Sequence, residues 1–83
     1  KQLDKDIRKA EREVKNLEAA IEKEESSIEA IDAKLHDPDQ FKELSKEPDF
    51  YEKYEARKAK LEQLMLDWEK AQEQLQTLEA KKE

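Results

Sequence analysis

The side chains able to do chemistry in this chain are few and poorly spaced for it. His36 is the single histidine and cysteine is absent, so a catalytic triad, a His-based metal centre or a thiolate nucleophile lacks its partners. Asp32 and His36 stand four residues apart, which on a helix places both on one face, where they could share a metal ion; a surface pair near a turn is the plainer reading. Asp37 and Asp39 begin like a calcium loop, but the glycine such a loop requires is missing and Pro48 stands where its bidentate glutamate belongs. With no glycine anywhere, neither a phosphate-cradling P-loop nor a nucleophile elbow can form. The abundant carboxylates recur on flanking helical positions (Asp4, Glu11, Glu18, Glu25 and Asp32), and solvated carboxylates are poor general acids or bases. The sequence therefore predicts no catalytic residue, no cofactor or metal site and no small-molecule substrate.

One ionic constellation has a use. Lys5, Arg8, Lys9, Arg12 and Lys15 fall on one outward face of a helix, and several convergent cations are what phosphate contact needs. Asp4, Asp6, Glu11 and Glu13 interleave them, so a mutually salt-bridged surface is the competing reading. A second basic knot comprises Lys53, Arg57, Lys58 and Lys60. The net charge of −6 is unevenly spread: residues 1–20 carry +1, residues 21–49 carry −6 and residues 50–83 carry −1. A field of that sign repels nucleic acid and anionic membranes, so such contact is confined to a local basic patch.

The elements that position these charges follow from composition and period. Charged residues make up 48% of the chain and hydrophobic ones 35%, too few for a globular core but enough for a seam between two long helices. High charge with low hydrophobicity is also the signature of disorder, and periodicity decides between the two. With Ile7 at heptad position a, the a residues are Ile7, Val14, Ile21, Ile28 and Leu35, and the d residues are Leu3, Ala10, Leu17, Glu24 and Ile31. A second series has Tyr54, Leu61, Trp68, Leu75 and Lys82 at a, with Phe50, Arg57, Leu64, Ala71 and Leu78 at d. Two such blocks argue for coiled coil and against disorder.

Between the blocks, Asp37 is a good N-cap with Pro38 at N1, and Pro48 repeats the stop-and-restart signal. The prediction is an all-α fold, a two-helix antiparallel coiled-coil hairpin with a short helical turn segment at the connection. One unit covers residues 1–83, with helix one at about 2–36, a connection at 37–47 holding a short helix at about 38–44, and helix two at about 48–81. Phe41 and Leu44 are expected to face the hairpin end. Antiparallel pairing sets Leu17 against Trp68 and Ile31 against Tyr54 as seam anchors, and brings Lys81 and Lys82 back beside the Lys5–Lys15 cluster. Glu24 and Arg57, the polar residues in the seam, fall in adjacent layers, where they either pair and fix the register or extend their charges to water. Met65 and Leu66 lie outside the seam with Tyr51 and Phe41, leaving room for protein docking or a weak homodimer. The chain starts already in helical phase and without methionine, as expected of a piece of a longer protein. No apolar run approaches a membrane span.

The charged heptad helix, the Asp37-Pro38-Asp39-Gln40-Phe41 turn and the late seam tryptophan in Asp67-Trp68-Glu69-Lys70-Ala71 together resemble the C-terminal coiled-coil domain of ABC-F ATP-binding proteins of the Uup type, over roughly residues 3–78. The resemblance implies a cytoplasmic parent with two ATPase domains using ATP and magnesium, and a hairpin that contacts DNA or the ribosome through diffuse basic contacts. The chain departs from that pattern in its net charge, which limits duplex contact to the basic base. A second resemblance, to the tRNA-contacting arm that ends valyl-tRNA synthetases, fits the tryptophan context and the turn less well.

Overall fold

The structure, a computed structural model, describes residues 2–82. Helix α1 (Gln2–Leu35) contains neither glycine nor proline and is rich in Ala, Leu, Glu and Lys, the residues that lose least entropy in a helix. Its last regular bond runs from the His36 amide to the Asp32 carbonyl at 3.1 Å, and the turn then tightens, the Asp37 amide donating to the Lys34 carbonyl at 3.2 Å. Pro38, with no N–H to donate, cannot continue the ladder. Asp37 instead caps the next helix, α2 (Pro38–Ser45), its carboxylate accepting the Asp39 amide at 3.0 Å. The Gln40 side-chain amide reaches the other carboxylate oxygen at 3.4 Å.

Helix α3 (Phe50–Lys82) begins at Phe50, two residues beyond the start that Pro48 suggested. The Asp49 carbonyl accepts the Lys53 amide at 3.0 Å, so Asp49 occupies the half-in position and Pro48 precedes the helix instead of opening it. The Phe50 amide donates to Glu47 at 3.3 Å, which holds the two residues between as a turn.

Helices α1 and α3 run antiparallel along each other, and α2 folds against α1. The molecule is a rod of 58 × 17 × 14 Å. Its core is the seam. Ile7, Ala10, Val14 and Ile28 of α1 are buried, as are Phe50, Tyr54 and Ala71 of α3. Leu17, Ile21, Ile31, Leu61, Leu64, Trp68, Leu75 and Leu78 are half-buried, because two helices can cover a seam from only one side each. Lys82, at an a position, is exposed, so the apolar seam of α3 closes at Leu78. Among the described residues no helix is long and apolar enough to cross a membrane.

Candidate functional site

Three regions of the hairpin gather its charged and exposed apolar groups. The first is its base, where the chain ends meet. The outward positions of the first turns of α1 present Lys5, Arg8, Lys9, Arg12 and Lys15, all exposed. Among the described residues none of the five has a carboxylate within ion-pair distance. The interleaved acids are partly engaged elsewhere: Asp6 accepts the Gln2 side-chain amide at 3.1 Å, and Asp4 pairs with Lys82 at 3.5 Å. That last contact joins the end of α3 to the start of α1, with Lys82 partly neutralised by Asp4.

The second surface is a polar lock in the seam. Glu24 is buried, and Arg57 Nη1 donates to its Oε1 at 3.3 Å. Lys60 approaches the other oxygen, Oε2, at 3.9 Å. The carboxylate therefore sits inside while both cations reach in from water, Arg57 about half exposed and Lys60 more so. The heptad pattern singled out Arg57 but not Lys60. Lys60 lies at the flanking g position, and only its long stem lets it reach a d-position acid.

Nearer the turn, the Tyr54 hydroxyl donates to the Asp32 carboxylate. Phe50 stacks on Tyr54 with ring centroids 6.2 Å apart and meets Tyr51 edge-on at 5.4 Å. The Lys58 ammonium lies 4.3 Å from the Tyr54 ring centroid, a cation–π distance. The hydrogen bond to Asp32, with burial adding to it, holds the Tyr54 phenol above its ordinary range, while Lys58 opposes the shift. Lys58 is itself held above its usual value, first by the Tyr54 hydroxyl. Asp32 is thus half-buried and committed to Tyr54, not a free carboxylate of an exposed stripe. His36 is exposed beside it, and no cluster of three metal-ligating side chains occurs among the described residues.

The third surface is a groove halfway along the hairpin, lined by Ile21, Met65 and Trp68 and edged by Glu18, Glu22, Glu25 and Glu69. Met65 is exposed, as are Leu66 beside it and Phe41 and Tyr51 at the turn end. Phe41 thus faces largely outward and Leu44 is half-buried.

The fold defines a small all-α hairpin. A family model, the ABC transporter C-terminal domain, matches residues 5–73, which takes in the basic face, the whole turn and α3 past its tryptophan. The chain belongs to that family. No curated protein and no solved structure shows significant similarity to it.

Proposed function

We propose that this hairpin is the non-catalytic C-terminal arm of an ABC-F type ATP-binding protein working in the cytoplasm, and that it contacts nucleic acid, either DNA or structured RNA, through the base of α1. The observation that supports this most is the free state of Lys5, Arg8, Lys9, Arg12 and Lys15, five exposed cations without ion-pair partners among the described residues. Uncommitted cations that neutralise phosphates release the counterions condensed on the nucleic acid, and that release drives such binding. The family match supports the ABC parentage. ATP and magnesium do not fit this chain, which has no glycine to bring its backbone close to phosphates; nucleotide chemistry belongs to P-loop domains elsewhere in the parent.

The test is fluorescence anisotropy of labelled duplex DNA and structured RNA titrated with the hairpin between about 50 and 200 mM salt. If all five cations touch phosphates, affinity falls by up to roughly 500-fold across that range. Arg8→Glu with Arg12→Glu abolishes binding. Absence of binding at the lowest salt overturns the proposal. A second reading, protein docking or weak self-association without nucleic acid, draws support from the exposed Met65 and Leu66.

A further inference from the structure

The mid-length groove differs from the base in sign and in texture. It is an open furrow of about 490 Å³ between α1 and α3, with Ile21, Met65 and Trp68 along it. The indole Nε1 of Trp68 is shielded from solvent and has no acceptor among the described residues, so the part of the ring offered to the furrow is hydrocarbon. Met65 brings an unbranched, polarisable side chain that adapts to different apolar partners. Around this floor stand Glu18, Glu22, Glu25 and Glu69, with no basic residue in the lining. Among the described residues none of these four carboxylates is ion-paired, whereas Glu24, one position from Glu25, has a cation near each oxygen.

We infer that this groove seats a lysine- or arginine-bearing amphipathic helix of a partner protein, apolar side chains on Met65 and Trp68 and cations against the glutamate rim. Charge complementarity selects the occupant. Nucleic acid and anionic lipid are repelled by four unpaired carboxylates, and a second copy docked by the same face sets one acidic rim against another. A helix with an apolar stripe and cationic flanks satisfies both the floor and the rim, which is how grooves with methionine and acid recognise basic helices. The inference shares no residue with the nucleic-acid face and stands or falls apart from it.

Trp68 is the sole tryptophan, so its emission reports on the groove directly. The probe is a synthetic leucine–lysine peptide with leucines at i, i+3, i+4 and i+7. Two controls accompany it: a scrambled peptide of equal composition without an apolar face, and a leucine–glutamate counterpart. Expected is a saturable blue shift of Trp68 with the amphipathic cationic peptide alone. Met65→Gln, at a surface position, and Glu22→Lys with Glu25→Lys each weaken binding about tenfold, with helicity checked by circular dichroism. The double lysine variant gains affinity for the glutamate peptide. Arg8→Glu with Arg12→Glu leaves peptide binding unchanged. Equal binding of the scrambled peptide, or indifference to Met65→Gln, overturns the inference in favour of polycation attraction alone. A shift of emission with protein concentration, without peptide, overturns it in favour of a second copy.

Discussion

Toward the base of the hairpin the seam is closed by aliphatic side chains, with Ile7, Ala10, Val14 and Ala71 buried. Toward the turn polar and aromatic groups join the buried Ile28: Glu24 between Arg57 and Lys60, Asp32 under the Tyr54 hydroxyl, and the Phe50–Tyr54 stack. Aliphatic packing is nearly indifferent to a slip of one heptad, since one leucine layer resembles the next. A buried carboxylate is not indifferent, because a slip strands it without its cation. The turn half therefore specifies register and the base half supplies contact area. The same division sorts the surface charge. Near the turn Arg57, Lys58 and Lys60 are each engaged with a seam residue, whereas at the base Lys5, Arg8, Lys9, Arg12 and Lys15 have no ion-pair partner among the described residues.

The most damaging change puts a charge into the aliphatic half. Val14→Asp buries a carboxylate with no cation placed for it and costs about 3 kcal/mol or more, read as loss of the thermal transition by circular dichroism. The reverse swap in the turn half, Glu24→Val, is near neutral in stability, since buried ion pairs often break even against apolar replacements. If Glu24→Val is the costlier of the two, the division between halves is wrong. Trp68→Ala, at the border, costs about 2 kcal/mol by urea titration, below the figure for a fully enclosed ring because Trp68 is half-buried. Arg57→Ala with Lys60→Ala leaves the buried Glu24 without a partner and costs about 1–2 kcal/mol, discounted because both cations are largely solvated.

The Tyr54 contact gives a pH signature confined to the turn half. Because the phenol is held above its ordinary 10.0 in the folded chain, its contribution is complete below that pH and is lost as the pH climbs through the raised value. The raised Lys58 acts in the same direction. The urea midpoint of the native chain is therefore expected to fall more steeply above pH 10 than that of Tyr54→Phe. The smallest effect is at the base, where Arg8→Glu with Arg12→Glu shifts stability by no more than about 0.5 kcal/mol while removing the nucleic-acid binding proposed above.

The architecture was legible because the heptads are regular. Every a and d position of α1 from Leu3 to Leu35 is buried or half-buried, and Asp37 with Pro38 marked the start of α2 in advance. What the sequence hid lies at flanking positions. Lys60 on Glu24, Tyr54 on Asp32 and the glutamate rim around Trp68 all depend on which of several reachable partners a long side chain selects. A heptad wheel gives the direction in which a Cβ leaves the helix, and no more. For Asp32 a signal was present, since an e-position acid lies nearly opposite an a-position tyrosine once the antiparallel register is written down.

The placement of the polar lock near the turn also bears on how the hairpin closes. The Tyr54–Asp32 bond spans 22 residues and the Arg57–Glu24 contact 33, while Lys82 and Asp4 span nearly the whole chain. Loop-closure entropy rises with the logarithm of that span, so the outermost pair costs roughly 1 kcal/mol more to close than the innermost. The cheapest closures are thus also the register-specific ones. A chain zipping outward from its turn meets the discriminating layers first, and by the time the interchangeable aliphatic layers come together their alignment is settled.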